Sequence, residues 1–138
     1  MQKIIVDTNV LVSSLIQRSY PFILVEEIFK NHEITLCISD PLMREYQEVL
    51  RREKFSKFPD FISKSETLLI DIERKGVYFN PAITLNVIGD LPDNRLLELA
   101  VESRAHYLIT GNSNDFTFSN YEGAKIVNPK EYCLQFIG

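Results

Sequence analysis

Short apolar runs alternate along this chain with longer stretches of helical periodicity, and that alternation leaves few folds open. Lys3 to Val6 is the first run and reads as a buried strand rich in β-branched residues. Ile34 to Ile38, Val77-Tyr78-Phe79, His106 to Thr110 and Lys125 to Val127 read as four more strands. An apolar segment from Val10 to Ile16 follows the first. Pro21, suited to a first helical turn, opens the pattern Phe22, Ile23, Val25, Ile28, Phe29. Ser39-Asp40-Pro41 is a helix start, after which Leu42, Tyr46, Val49 and Leu50 share one face. Pro59 to Lys75 predicts another helix, closed by Gly76. Asp90-Leu91-Pro92-Asp93 opens a helix in which Leu96, Leu97, Ala100 and Val101 recur, and Pro129 opens a last one. The expectation is one α/β domain over residues 1–138, layered around a mainly parallel sheet of about five strands.

Composition narrows the function classes. Hydrophobic residues make up 45% and charged residues 25% of the 138, the balance of a globular chain able to bury a core. The apolar stretch from Val10 to Ile16 is broken by serines and falls far short of the ~20 residues of a membrane span. The first strand meets an acid at Asp7, unlike a secretory signal, so the expected location is the cytoplasm. Cys37 and Cys133 lie far apart, outside any C-x-x-C pair, and read as buried reduced thiols. A net charge of −4 argues against a protein that grips nucleic acid through bulk basic charge. It leaves open an enzyme that meets nucleic acid through metal ions.

The acids carry the functional signal. Asp7 directly follows the first strand, and ligands of open parallel sheets bind at the carboxyl ends of the strands. Asn112 and Asp115 follow the fourth strand and belong to the same edge. Asp93, in a first helical turn, shares the angular position of Leu96, Leu97 and Ala100 and is expected to point inward. Glu45 borders the apolar stripe of its helix, while Glu48 is turned away. Carboxylates converging on one spot repel one another, so either they protonate or a hard cation such as Mg²⁺ or Mn²⁺ joins them. Such an ion activates water and offsets charge on a phosphodiester undergoing cleavage. Plainer roles stand beside these. Asp7 suits a turn after a strand, Glu45 a solvated helix position, and Asp93 the third helical position behind a capping Asp90. Asn112 and Asn114 suit an ordinary loop, and Asp115 the N-cap of a turn. His32 and His106 show no partner spacing. Arg44, Arg51, Arg52 and Lys54 read as a solvated face, with flanking phosphates as the alternative.

In order and spacing these segments resemble the PIN-domain nucleases. Ile4-Ile5-Val6-Asp7-Thr8-Asn9-Val10-Leu11-Val12 resembles that family's opening motif, and Asp90-Leu91-Pro92-Asp93-Asn94-Arg95-Leu96-Leu97-Glu98-Leu99-Ala100 its third acidic motif. Tyr107-Leu108-Ile109-Thr110-Gly111-Asn112, running on to Asp115-Phe116, resembles the fourth, and Ile126-Val127-Asn128-Pro129-Lys130-Glu131-Tyr132 the closing strand and helix. Within the family the chain is most similar in appearance to single-domain, VapC-like toxins of toxin–antitoxin pairs. The resemblance implies a three-layer α/β/α sandwich and a metal-dependent endoribonuclease that cleaves RNA. It implies Asp7, Glu45 and Asp93 as metal ligands, with Asp115 a further catalytic acid. Asn9, Thr110 and Asn112 would act on substrate or orient carboxylates and waters. It also implies a cognate antitoxin and a homodimer. An acid is usual where Asn112 stands. A haloacid-dehalogenase-like phosphatase also carries an Asp after its first strand, but its second acid would fall at Asn9 and its lysine motif is missing. A PIN fold retained only for binding a partner or RNA is the rival from another class.

Overall fold

A computed structural model describes residues 1–112, 116 and 118–137 of the chain. Six strands form one sheet: β1 (Gln2–Val6), β2 (Ile34–Ile38), β3 (Val77–Tyr78), β4 (Tyr107–Ile109), β5 (Asn120–Tyr121) and β6 (Ala124–Val127). Their order is β3-β2-β1-β4-β6-β5, parallel throughout except for β5 against β6. Six α-helices flank the sheet as an α/β sandwich: α1 (Thr8–Ile16), α2 (Tyr20–Lys30), α3 (Asp40–Leu50), α4 (Phe61–Lys75), α5 (Leu91–Ser103) and α6 (Pro129–Phe136). Among the described residues, no helix is long and apolar enough to cross a membrane.

The most apolar run lies at the centre. Ile4, Ile5 and Val6 of β1 are essentially unexposed, and so are Cys37 and Ile38 of β2 and Leu108 and Ile109 of β4. Strands covered on both faces have no water-facing side to encode, so they read as continuous apolar runs rather than alternating ones. The register Val6↔Ile109 between β1 and β4 brings the two strand ends level. Successive strands step from β1 to β2 and β3 on one side, then to β4 and β6 on the other. The junction of β1 and β4 is therefore the point where the winding reverses, the crevice where open α/β sheets hold ligands.

The fold departs from the sequence reading in three places. The stretch beginning at Val10 is the body of α1, which starts at Thr8 because the Asp7 carboxylate accepts the Thr8 N–H at 2.7 Å as its N-cap. Helix α4 begins at Phe61 rather than Pro59, since Asp60 takes a left-handed conformation (φ 59°) that no helix can include. A sixth strand, β5, hairpins onto β6 through Glu122 and Gly123, both with positive φ (50° and 91°), as a two-residue primed turn requires. Cys37 and Cys133 are buried free thiols. His106 accepts the Lys3 N–H on Nδ1 at 2.9 Å, a structural link between β4 and β1.

Candidate active site

Asp7 stands at the β1–β4 junction, and neutral donors fix its carboxylate on two sides. Oδ1 accepts the Thr8 N–H, and Oδ2 accepts the Thr110 hydroxyl at 2.8 Å. The Asn9 amide donates more distantly to Oδ2, at 3.4 Å. The same Asn9 accepts the Gly111 N–H on Oδ1 at 3.0 Å, and the Thr110 hydroxyl accepts the Asn112 N–H at 3.1 Å. The segment Thr110–Asn112 is thus laced to the turn after β1. A Cβ at Gly111 would stand 3.2 Å from Asn9 Oδ1, so glycine lets the two turns approach this closely.

Burial pushes the Asp7 carboxyl above its ordinary value of 3.8, and the negative charges of Glu45 and Asp90 push the same way; the Thr110 and Thr8 hydrogen bonds pull it partly back. Glu45, half-buried on α3, accepts the hydroxyl of Thr8. One residue on, the fully buried Tyr46 donates its hydroxyl to the Val6 carbonyl. Its phenol is held protonated, chiefly by burial and then by the charges of Asp7 and Glu45. Glu48 is exposed and pairs with Arg52 at 3.4 Å. Arg51 pairs with Glu66 at 3.1 Å, so two of the four basic residues singled out in this region already have acidic partners on the surface.

The third acid is set by the start of α5. Asp90 caps the helix by accepting the Asp93 N–H at 3.1 Å, and Asp93, at the third helical position, is buried. Among the described residues, no three acidic, histidine or cysteine side chains are grouped closely enough to hold a metal ion. Asp115 lies outside the described residues. Asp7 and Glu45 are drawn together through Thr8, and Asp90 acts on Asp7 by charge.

A polar ladder on α5 was not anticipated. Asn94, almost fully buried, accepts the Val87 and Ile88 N–H groups on one oxygen at 3.0 Å each. Its amide nitrogen donates to the Ile88 carbonyl at 2.6 Å and the Asp90 carbonyl at 3.1 Å. One turn further, buried Glu98 accepts the Leu85 N–H at 2.8 Å and pairs with Arg95. Another turn on, Glu102 accepts the Ala82 N–H at 3.1 Å. Residues 94, 98 and 102 at spacing i, i+4, i+8 therefore strap the incoming loop along the helix, and that spacing of polar side chains was the available signal. Thr8 and Tyr46, which lock Glu45 and the end of β1, left no signal beyond ordinary helix positions.

Residues 3–114 match the family described as PIN domain. This chain belongs to the PIN-domain family. A protein of Methanocaldococcus jannaschii, "Uncharacterized protein MJ1680", is 27% identical over 143 residues, covering 97% of this PIN-domain chain and 91% of that protein. Among solved structures, a chain of VapBC2 from Rickettsia felis, crystallised bound to a DNA fragment from their promoter, is similar with a TM-score of 0.59. That match covers 92% of this chain and 98% of that one at 16% identity, a likeness of fold.

Proposed function

We propose that this PIN-domain chain is a Mg²⁺- or Mn²⁺-dependent endoribonuclease and the toxin of a toxin–antitoxin pair, acting in the cytoplasm. The observation that carries the reading is Asp7, a buried carboxylate at the sheet's switch point, held by neutral hydroxyl and amide donors with Glu45 and Asp90 acting on it. Among the described residues Asp7 has no ion pair with a basic side chain. A buried carboxylate pressed by like charges and lacking a cationic neighbour is chemically suited to a hard divalent ion, which prefers oxygen ligands. Among the described residues no thiol or imidazole hydrogen-bonds to it, which disfavours softer metals.

Asp7, Glu45 and Asp93 are the residues that would hold such an ion, with Asp115 or Asn112 contributing through a water. The ion, when bound, supplies charge neutralisation at the phosphodiester and a water of lowered pKa. The protein's own part is positioning. Thr110 and the Thr8 N–H fix both oxygens of Asp7, Asn9 joins Asp7 to the Gly111 turn, and Thr8 steers Glu45 toward the same edge. In the hydrolysis proposed, the oxygen of water forms a bond to phosphorus and the P–O3′ bond breaks. The products are a 5′-phosphate and a 3′-hydroxyl that takes up a proton. The likeness in fold to a chain of VapBC2 supports a protein antitoxin as partner, and a homodimer remains part of this reading.

The test is incubation of purified protein with mixed RNA in Mg²⁺, Mn²⁺ or EDTA, beside Asp7→Asn and Asp93→Asn. Metal-dependent cleavage lost in both variants is the expected result. Cleavage surviving both substitutions would mean the site lies elsewhere. A folded protein that cuts nothing would favour the second reading, a PIN fold kept for binding. Asn112 at a position where an acid is usual, together with the ungrouped acids, supports that alternative.

A further inference from the structure

The starts of α3 and α5 meet in a cleft of about 150 Å³, lined by Pro41, Leu42, Glu45, Leu91, Pro92 and Arg95. It falls well below the roughly 300–1,000 Å³ of clefts that enclose a small molecule, so it has room for one compact group of a larger ligand. Glu45 belongs both to this cleft and to the acids acting on Asp7, which makes the cleft a neighbour of the candidate active site. Arg95 is its cation, and the way that cation is held sets it apart.

Arg95 is half-buried and ties one guanidinium nitrogen to the buried carboxylate of Glu98. The same Glu98 oxygen accepts the Leu85 N–H at 2.8 Å, so the acid is fixed by the strapped loop and in turn fixes the arginine. Arg51 shows the fuller pairing open to an arginine: two of its nitrogens meet the two oxygens of Glu66, at 3.1 and 3.4 Å. Arg95 gives Glu98 a single nitrogen, and its other donors make no hydrogen bond with a described residue. Nor is it ion-paired with Glu45 across the cleft. An anchored guanidinium with most of its rigid fork unspent is matched to a phosphate. The cleft strengthens that match in two ways. Its walls are two prolines and two leucines, which thin out the water that would screen a charge pair. It also opens at the amino ends of two helices, whose dipoles favour an anion.

We infer that Arg95 holds a backbone phosphate flanking the scissile one, with Glu98 as the residue that orients it. The guanidinium donates to non-bridging oxygens, and no covalent bond changes. In a chain of net charge −4, this contact sets a polyanion beside the acidic centre without help from a metal ion. The inference rests on RNA being the substrate, as proposed above.

The test is fluorescence anisotropy of a short labelled RNA in EDTA across a range of salt, with steady-state cleavage in Mg²⁺ followed in parallel. Arg95→Gln is expected to weaken binding roughly tenfold, the value of a charge-assisted hydrogen bond. It should lower the slope of log affinity against log salt by about 0.7, one phosphate contact on a single strand. In Mg²⁺ its KM should rise by a similar factor with kcat little changed. Arg95→Lys, which keeps the charge and loses the fork, should keep the slope. Arg52→Gln, which opens only a surface pair with Glu48, should match wild type. Arg95→Gln alone strands the buried charge of Glu98, so it is paired with a double variant that also carries Glu98→Gln. The double variant should lose RNA to the same extent while hydrogen exchange at Leu85 stays at the wild-type rate. A wild-type slope and KM in Arg95→Gln would overturn the contact. So would a loss that the double variant restores, which would leave Arg95 as the counter-charge of Glu98. Binding that depends on Arg95 without cleavage by wild type in Mg²⁺ would fail the nuclease reading and support the contact. Cleavage by wild type with unaltered kinetics in Arg95→Gln would fail the contact alone, and a wild type that neither binds nor cleaves would fail both.

Discussion

The hydroxyl of Thr110 donates to Oδ2 of Asp7 at 2.8 Å across the junction of β4 and β1, in a place where neither residue sees solvent freely. This bond favours the ionised carboxylate against the burial that opposes it. Thr110→Val keeps the shape and removes the donor, so Asp7 should ionise at still higher pH. If ionised Asp7 is needed for cleavage, the acid limb of the pH–rate profile moves upward, and lost activity returns as pH rises. Stability should fall by about 1 kcal/mol. A profile that only drops in height, without moving, would separate Thr110 from the ionisation of Asp7.

The raised pKa of Asp7 has a stability consequence of definite sign. A carboxyl that binds its proton more tightly folded than unfolded contributes stability below its ordinary value of 3.8 and loses that contribution as pH rises through the folded value. At neutral pH the ionised Asp7 is therefore a local cost. Asp7→Asn should melt at the same or a higher temperature than wild type near pH 7, and the gap should widen from about pH 4 upward. Melting curves of both proteins across that range test this. Added Mg²⁺ should raise the melting temperature of wild type and leave Asp7→Asn nearly unchanged, since a ligand stabilises only the state that binds it.

Glu45 and Glu48 lie three positions apart on α3 and should behave oppositely. Glu45 is half-buried, bonded to Thr8, and raises the pKa of Asp7 by its charge. Glu45→Gln should abolish or strongly reduce cleavage and let Asp7 ionise at lower pH. Glu48 is exposed and, among the described residues, pairs with Arg52. Glu48→Gln should leave cleavage intact and change stability by under about 0.5 kcal/mol. Equal loss in the two variants would remove Glu45 from the site.

Asn94 is a point where one side chain holds a whole turn. Asn94→Ala leaves the Val87 and Ile88 N–H groups and the Ile88 carbonyl without this side-chain partner, while the Asp90 carbonyl keeps the backbone N–H of residue 94. Unfolding free energy should fall by about 2–3 kcal/mol, the cost of stranded polar groups that water reaches only in part. Hydrogen exchange at Val87 and Ile88 should accelerate more than exchange in β1. A variant with unchanged exchange at those two amides would show the loop to be held by other contacts.

The central strands β1, β2 and β4 were legible because they are buried on both faces. Ile34–Ile38 forms as read, and the other four strands that were read differ by one residue at one or both ends. Asp7, Asp93 and Thr110 stood out because each borders such a strand or helix start. What stayed hidden depends on pairs distant in the chain. Nothing near Thr8 announces that its hydroxyl meets Glu45, thirty-seven residues on. The hairpin at Glu122-Gly123 was missed because glutamate at a left-handed position lacks the Asn-Gly signature of such turns. Asn94 read as one more polar residue in a helix, though its four bonds run to residues up to seven positions earlier.

The chain contains no tryptophan, so its near-ultraviolet absorption and fluorescence come from six tyrosines and nine phenylalanines. Tyr46 is fully enclosed, with its hydroxyl anchored on the carbonyl that immediately precedes Asp7 and its ring beside the charges of Asp7 and Glu45. Its transition moment is thereby fixed within the field of the acidic centre. Charge entering or leaving that centre is written into the circular dichroism of a native chromophore, and cation binding can be followed optically without attaching a dye.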